Sequence, residues 1–399
     1  MLPQLLEFKI KNFRSFYSEQ VISFGDNAAR SVTALFGANA SGKSNTAKAL
    51  NFFKTFISTS AIAGNVFNGI PLPVQFPNKP QYDPFLFKQD AYKEDSSFSI
   101  KFKHTDKIYI YAFSIDNDRI TSEILKEQSN NSKKMKVVFK RDAERRLSDS
   151  AEKYGFGRKL VEKTRNETLL ITKAREENNK YANIVFDLLS SVDVFLGEIP
   201  QQISYVMAFE LFKKKPELKN QIIKLLNDAD FSIRDFSFDE TKGLNNQITV
   251  QTTTTHAVRD NERTVIGQQK LDFAQESMGT KKFFEIAAPI IEALDKGSTI
   301  YLDEFGAYLH PQLAAAVVEM FKSENINKSR AKLIINTHVP AILDKLARED
   351  IVLVEKNLAE ESVIIPLTDK SVRKDESFEK RYRQGIYGGV PIMSANLRL

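Results

Sequence analysis

The stretch Gly37-Ala38-Asn39-Ala40-Ser41-Gly42-Lys43-Ser44 decides how this chain of 399 residues is interpreted. It fits the pattern G-x-x-x-x-G-K-[ST]. The apolar run Val32–Phe36 before it predicts a buried strand, and Asn45–Phe53 after it has helical spacing. A phosphate-binding loop requires this order of strand, glycine loop and helix. The sequence therefore predicts a nucleoside triphosphate site; the alternative is a Gly/Ser-rich turn with an incidental lysine.

Each part of this loop has a physical role in holding phosphate. Gly37 and Gly42 let the backbone bend tightly, and backbone N–H groups with the following helix N-terminus face the anion. Lys43 is expected to reach the β- and γ-phosphates, and the Ser44 hydroxyl to bind Mg²⁺. The nucleotide-binding residues expected here are Gly37, Asn39, Ala40, Ser41, Gly42, Lys43, Ser44 and Asn45.

A second motif lies about 260 residues further on, where the apolar strand Ser298–Glu304 ends in two carboxylates. Carboxyl ends of parallel strands face the ligand crevice, which places Asp303 to hold Mg²⁺. Glu304 is the candidate to polarise the attacking water. The alternative is an acidic pair that merely begins a loop.

Two further segments are candidates for phosphate contacts. Ser277-Met278-Gly279 precedes the predicted helix Phe283–Leu294, and a helix N-terminus attracts anions. A second anion-binding end suggests that two monomers enclose each nucleotide. His338 follows the predicted strand Ala331–Asn336 and is a candidate γ-phosphate contact and catalytic residue, with Glu304 and Lys43. The four histidines do not show metal-ligand spacing.

The remaining patterns predict an α/β fold. Leu5–Phe16 and Val21–Phe24 read as strands, and three alternating runs between residues 97 and 125 predict an antiparallel meander. Residues 133–166 are strongly basic and are interpreted as a solvated face, with a nucleic-acid or partner contact as the alternative. Residues 157–228 have helical spacing, with Ile184, Leu188, Leu189, Val192 and Phe195 on one face. Ser232–Phe238 and Gln247–Val258 predict a hairpin.

These patterns divide the chain into three parts. We expect residues 1–130 to form the N-terminal part of a nucleotide-binding head, 131–230 a basic segment and helical insertion, and 231–399 the C-terminal part of the head. The central sheet is expected to be mixed, with the antiparallel meander beside it.

Composition limits the classes of protein. Hydrophobic residues make up 42%, there is no cysteine, and the net charge is +6. The absence of long apolar runs predicts no membrane span, and no secretory signal is recognised, so a cytoplasmic protein is expected. The mild positive charge permits contact with nucleic acid without requiring it.

The motifs occur in the order Asn12-Phe13-Arg14-Ser15-Phe16, Gly37–Ser44, Ser277-Met278-Gly279, Ile300–Glu304 and His338. This order resembles the ATP-binding-cassette ATPases of the structural-maintenance and overcoming-lysogenization (OLD) group. Asp303–Pro311, D-E-F-G-A-Y-L-H-P, is similar to their D-E-P-E-x-x-L-H-P. Tyr382–Pro391 looks like the tail of stand-alone members found in bacterial abortive-infection and phage-defence operons.

The resemblance implies an ATP- and Mg²⁺-dependent ATPase that assembles head-to-tail as a homodimer or larger homo-oligomer. Ser277 and Gly279 would then reach the γ-phosphate held by the opposite subunit. It also implies an effector protein, a nuclease or toxin, encoded nearby. Arg14 is a candidate nucleotide contact, with a structural strand arginine as the alternative.

The sequence departs from the family pattern at several positions. Phe305 and Gly306 replace the usual proline and glutamate, and the signature is Glu-Ser-Met-Gly instead of Leu-Ser-Gly-Gly. Three glutamines, Gln75, Gln81 and Gln89, are candidates for the Q-loop. The residues after Val354 are too few for the Toprim nuclease domain of OLD enzymes, so any nuclease activity is expected in a partner.

Three other classes of protein compete with this hypothesis. One is a DNA-repair ATPase of the RecF type that binds DNA with its basic surface. Another is a P-loop GTPase or kinase, although Asn327-Lys328-Ser329-Arg330 ends in Arg where a guanine-binding N-K-x-D has Asp. The third is a scaffold in which ATP is bound and never hydrolysed.

Overall fold

The protein is described by a computed structural model over residues 2–25, 30–60, 66–67, 70–71, 82–117, 119–129, 132, 134–197, 212–213, 215–228, 232–242, 248–371 and 377–390. Two of the three Q-loop candidates, Gln75 and Gln81, lie outside these ranges. Within the described ranges, no helix has the length and apolar character needed to cross a membrane.

Seventeen strands and eight α-helices are described. In chain order the strands are β1 Gln4–Lys11, β2 Gln20–Ser23, β3 Val32–Phe36, β4 Val66–Phe67, β5 Ile70–Pro71, β6 Ser96–His104, β7 Lys107–Ile115, β8 Ile120–Ser129, β9 Lys136–Arg141, β10 Val192–Phe195, β11 Ile233–Lys242, β12 Ile248–Arg259, β13 Val265–Asp272, β14 Thr299–Phe305, β15 Lys332–Thr337, β16 Ile351–Lys356 and β17 Ser362–Pro366. The helices are α1 Lys43–Thr59, α2 Arg158–Glu162, α3 Leu170–Glu176, α4 Lys180–Ser190, α5 Glu217–Asp228, α6 Met278–Lys296, α7 Pro311–Lys322 and α8 Phe378–Arg383.

The central sheet has the strand order β10-β14-β15-β3-β16-β17, and all neighbours are parallel except β16 and β17. Strands β3 and β15 are buried along their whole length, which explains their continuous apolar runs. Because the strands are parallel, the segments after β3, β14 and β15 leave the sheet at the same edge. The sheet thus brings together the glycine loop, Asp303 and the residues after Thr337.

A second sheet is fully antiparallel, in the order β2-β1-β6-β7-β8-β9. Helix α1 lies between the two sheets. Its Phe53 ring lies 5.6 Å from Phe8 of β1 and 5.3 Å from Phe113 of β7, and the helix also contacts β14. Helix α1 is therefore fixed on two sides. The predicted α/β class, with a mixed central sheet and a flanking antiparallel sheet, is confirmed.

The third sheet contains the predicted hairpin, as β11 and β12, and a third strand, β13, that the sequence analysis did not predict. Strand β13 consists almost entirely of exposed residues, so it lacks the apolar alternation by which strands are recognised. Helix α6 packs on this sheet through Phe284, whose ring lies 4.8 Å from Phe236.

Two sequence predictions are corrected by the structure. Val192 and Phe195 do not continue the helical face of Ile184 but form β10, which pairs with β14. A short apolar run is equally compatible with either element, and pairing with a neighbouring strand decides between them.

The interpretation of the basic segment as a solvated face is wrong for Arg141. This residue ends β9 and is buried, with its guanidinium 2.8 Å from Glu123. Glu123 also accepts hydrogen bonds from the Tyr111 hydroxyl and from the backbone of Leu170 and Ile171. The pair thereby ties the start of α3 to the antiparallel sheet. Arg146 and Arg158, by contrast, are exposed.

Candidate functional site

A cleft of about 920 Å³ opens at the carboxyl edge of the central sheet. It is formed by the glycine loop with the start of α1, the segments after β14 and β15, the turn after β1, and a loop before β6. The lining residues are Arg14, Ser15, Asn39, Ala40, Ser41, Gly42, Lys43, Ser44, Asn45, Asp83, Pro84, Leu86, Phe87, Glu304, Phe305, Gly306, Ala307, His338, Val339 and Lys356. Most of the predicted phosphate-binding residues therefore face one cavity.

The two loop glycines are required by close approaches. Gly42 precedes α1 with φ +106°, and a Cβ there would overlap the Ser362 hydroxyl. A Cβ on Gly37 would overlap the Val354 carbonyl oxygen. Larger residues would therefore displace the loop from β16 and β17, which support it from behind.

The Lys43 ammonium is held against the loop itself. It donates to the carbonyl oxygens of Gly37 and Ala38, both at 2.8 Å, and the residue is only 5% exposed. Burial lowers the pKa of Lys43 to about 8, and the nearby Asp303 carboxylate partly opposes this shift. A buried cation beside converging backbone amides suits a polyanion.

Ser44 and Asp303 provide an oxygen-rich place for a divalent cation. The Ser44 hydroxyl donates to Asp303 Oδ1 at 3.1 Å, and the Asn336 amide donates to the same oxygen at 2.8 Å. Mg²⁺ in nucleotide sites is held by one or two such groups together with substrate phosphates. Among the described residues no cluster of three or more acidic or histidine side chains forms a dedicated metal cage. The donor set fits a nucleotide-bound Mg²⁺.

A buried hydrogen-bond network beneath the loop was missed by the sequence analysis. The Asn336 amide also donates to the Lys43 carbonyl oxygen at 2.8 Å, and its Oδ1 accepts from the Tyr301 hydroxyl at 2.8 Å. Tyr301 in turn hydrogen-bonds Thr46, and burial raises the pKa of the Tyr301 phenol. The alternation of strand side chains, which puts Tyr301 on the same face as Asp303, was the available signal.

Ser41 offers a second test of whether the loop fits an anion. Its backbone carbonyl accepts from the Ser362 hydroxyl at 2.6 Å. Its own hydroxyl is buried and has no hydrogen-bond partner among the described residues. Since buried polar atoms are nearly always satisfied, this hydroxyl is suited to a ligand oxygen.

Glu304 and His338 line the cleft from neighbouring strands. Glu304 has φ +54° and is exposed, at an irregularity in the pairing of β14 with β15. Such irregularities redirect side chains beside functional sites. Burial, and then the charge of Lys43, lower the pKa of His338, with Asp303 opposing. His338 is therefore neutral near pH 7 and can donate or accept a hydrogen bond.

Arg14 also lines the cleft. Its backbone has φ +52°, its Nε lies 2.8 Å from Asp83 Oδ2, and its guanidinium lies over the Phe13 ring. The next residue, Ser15, accepts from the Asn45 amide at 2.8 Å. The turn after β1 is thus joined to the start of α1.

Ser277 and Gly279 do not line the cleft of their own chain. Ser277 caps α6, its hydroxyl accepting from the Thr280 amide at 3.1 Å, and it is exposed. A Cβ on Gly279 would lie 2.9 Å from the Tyr308 carbonyl oxygen. This helix end faces outward beside the loop that follows β14.

One wall of the cleft was not predicted at all. Leu86 and Phe87 contribute exposed apolar side chains, Phe87 being 69% exposed. The Lys356 ammonium lies 5.7 Å from the Phe87 ring centroid. An exposed aromatic ring at the end of a phosphate site can stack on a nucleobase. Of the three Q-loop candidates, Gln89 lies within the described residues; it is exposed and does not line the cleft.

The comparison with protein families agrees with this geometry. The family model described as "AAA domain, putative AbiEii toxin, Type IV TA system" matches residues 32–344, more than half of the chain. The chain belongs to this family of AAA-domain proteins. None of the curated proteins compared with the chain matches it.

Solved structures with related architecture include heads of SMC proteins. One is an Smc head bound to the C-winged helix domain of ScpA, with 13% identity, coverage of 91% of this chain and 97% of that chain, and a TM-score of 0.45. Another is the SMC head domain from Thermotoga maritima, with 16% identity, coverage of 92% of this chain and 100% of that chain, and a TM-score of 0.41. A third is an Smc head domain with an extended coiled coil bound to the C-terminal domain of ScpA derived from Pyrococcus furiosus, with 14% identity, coverage of 96% of this chain and 98% of that chain, and a TM-score of 0.44. Because these TM-scores are below 0.5, we assign the fold from the strand order and from the family match.

Proposed function

We propose that this protein is an ATP-hydrolysing switch ATPase that closes head-to-tail around ATP and controls an effector in bacterial defence against phage. One observation carries the proposal. Lys43, Ser44, Glu304 and His338 line a single cleft, and Asp303 is hydrogen-bonded to Ser44, although these residues come from three separate strand ends.

The residues of the cleft have distinct roles in this proposal. The loop amides and Lys43 bind the phosphates, while Ser44 and Asp303 would hold Mg²⁺, which would supply positive charge beside the phosphates. Glu304 orients the attacking water, and neutral His338 donates a hydrogen bond to the transferring phosphoryl group. Arg14, paired with Asp83, is proposed as a guanidinium contact for the nucleotide.

The second half of each site is proposed to come from another copy of the chain. Ser277 and Gly279 form an exposed helix N-terminus that lies outside the cleft of its own subunit. A helix N-terminus attracts phosphate, and a head-to-tail homodimer, or a larger homo-oligomer, would bring it to the partner's γ-phosphate. ATP would then act as an assembly contact as well as a substrate.

The effector hypothesis rests on the family. Its description names a toxin and a toxin–antitoxin system, which supports control of a nuclease or toxin encoded nearby. We propose a cytoplasmic ATPase head formed by residues 1–130 and 231–399 together with β9 and β10, which belong to its two sheets. The helices within residues 157–228 are proposed as the part that moves on closure. Copurification with the products of neighbouring genes tests this part of the proposal.

Substitution Glu304→Gln tests the catalytic proposal. The amide cannot accept a proton from water, so ATP binding is retained, turnover is lost and a dimer or larger assembly accumulates. Glu324→Gln, on an exposed loop after α7, is the matched control. Size-exclusion chromatography with ATP and a phosphate-release assay measure both properties. Unchanged turnover in Glu304→Gln would exclude this role for Glu304, whereas ATP binding without turnover in the wild-type protein would favour a scaffold that never hydrolyses ATP.

The alternative, a DNA-repair ATPase of the RecF or SMC-like type, makes a different prediction. Bare DNA would then stimulate turnover and bind with strong salt dependence. In the proposed switch, the effector and not DNA changes the turnover.

A further inference from the structure

The C-terminal glycine turn, residues 385–389, lies against the start of the phosphate loop. It follows α8, and three of its glycines have positive φ: +75° at Gly385, +84° at Gly388 and +70° at Gly389. Such values disfavour residues with a Cβ. The turn belongs to the Tyr382–Pro391 segment singled out in the sequence, for which the proposed mechanism gives no role.

Two side chains hold this turn in place. Glu355, near the end of β16, accepts from the Gly389 amide, and a Cβ on Gly388 would overlap the same carboxylate. The Tyr382 hydroxyl donates to the Gly389 carbonyl oxygen at 2.9 Å. Burial, and then the nearby Glu355, raise the pKa of Tyr382 to about 12, so it remains a donor at neutral pH.

The turn reaches the nucleotide site by two contacts. The Tyr382 ring packs on Phe36, the last residue of β3, with 5.7 Å between ring centroids. A Cβ on Gly389 would lie 3.6 Å from the Gly37 Cα, and a Cβ on Gly37 would overlap the Val354 carbonyl oxygen of β16. Gly37 therefore lies close to both β16 and the glycine turn, so a displacement of the turn changes the packing around the first residue of the loop.

We propose that the C-terminal glycine turn positions the phosphate loop, with Glu355 and Tyr382 as its positioning residues. Displacing the turn releases Gly37 and weakens the binding of nucleotide, without altering any group that touches the phosphates. The effect on ATP rests on the proposed function, whereas the mechanical coupling between turn and loop does not.

Two glycine substitutions in the full-length protein test the coupling. In Gly388→Ala the new methyl group must push Glu355 and the turn apart. In the control Gly385→Ala, the strain at positive φ is similar, but the Cβ meets only a methyl group of Val390, at 3.1 Å, and not Glu355. We measure amide hydrogen exchange of residues 36–44, MgATP affinity and the melting temperature of each protein.

We expect faster exchange in the loop and about tenfold weaker MgATP binding in Gly388→Ala, a loss of about 1.4 kcal/mol. Gly385→Ala keeps wild-type exchange in the loop even where its melting temperature falls equally. The proposal would be overturned if Gly388→Ala and Gly385→Ala had the same amide exchange in the loop and the same MgATP affinity. The turn would then contribute only to the stability of the fold.

Tyr382→Phe keeps the test decisive where Gly388→Ala fails to fold. It removes the bond to the Gly389 carbonyl and leaves the ring on Phe36, so loop exchange rises and affinity falls by about twofold to fivefold. Unchanged loop exchange in this variant would contradict the coupling. If wild-type protein does not bind MgATP but loop exchange still responds to the turn, the proposed function fails and the coupling stands.

Discussion

The N-termini of α1 and α6 are both candidate phosphate-binding ends, but their surroundings differ. At α1 the loop is supported from below by Asn336 and from behind by Ser362, and Lys43 is almost fully buried. At α6 Ser277 is exposed, and so are its neighbours Met278 (45%) and Tyr308 (67%). We call the α1 N-terminus the enclosed end, because residues of its own chain cover it. We call the α6 N-terminus the open end, because its surface is exposed.

The largest expected effect is on the enclosed end. Lys43→Ala removes the buried ammonium and is expected to weaken ATP binding by about 100-fold, since charged hydrogen bonds contribute about 1.5–3 kcal/mol. Lys48→Ala, on the same helix but away from the cleft, is the control. Isothermal titration calorimetry measures both. Equal affinities for the two variants would place the nucleotide elsewhere.

The open end should behave differently. Ser277→Arg blocks the α6 N-terminus. The ATP affinity should stay within about threefold of the wild-type value, because the phosphate loop of the same chain is unchanged. Turnover should fall by about 30-fold, because the contact from the opposite subunit is lost. Measuring both affinity and turnover of the isolated variant separates the two ends. A loss of affinity equal to that of Lys43→Ala would show that Ser277 acts within its own chain.

A mixture of the Lys43→Ala and Ser277→Arg proteins sharpens this comparison. Each mixed dimer contains one site with an intact loop from one subunit and an intact signature turn from the other. Turnover should therefore return to about a quarter of the wild-type value, since half of randomly paired dimers are mixed and each has one of two sites intact. No recovery would contradict composite sites.

The pH dependence of ATP binding tests the burial of Lys43. Its pKa near 8 in the empty protein means that it loses its charge above that pH. Bound phosphate favours the charged form, so the affinity should fall as pH rises above 8, by at most about tenfold per unit. Lys43→Met should abolish this dependence. An affinity that is constant from pH 7 to 9.5 would contradict the shifted pKa.

The smallest effect is expected in the network below the enclosed end. Tyr301→Phe leaves Thr46 and Asn336 without their shared partner, at a cost of about 1–2 kcal/mol in the free energy of unfolding. Tyr308→Phe, on the open side, should change it by less than about 0.5 kcal/mol. Denaturant unfolding of both variants measures the free energy of unfolding. Equal values would show that the network below the loop does not stabilise the protein.

Much of the fold and of the cleft follows from local patterns. Short, mainly apolar runs predicted β3 and β14, and the motifs at Gly37–Ser44 and Asp303-Glu304 were found because their residues are contiguous. Elements without a local pattern were missed. Strand β13 is exposed on nearly every residue, and β10 is too short for its periodicity to exclude a helix.

The sequence by itself determined the phosphate loop and its flanking strand and helix, since consecutive residues carry all of that chemistry. Only the tertiary structure decided what holds the loop. Ser362 lies 321 residues from Ser41, and Asn336 lies 293 residues from Lys43. Such contacts depend on which strands become neighbours in the central sheet and on which face each side chain takes. The same long-range packing encloses the α1 end within its own chain and leaves Ser277 and Met278 at the α6 end exposed.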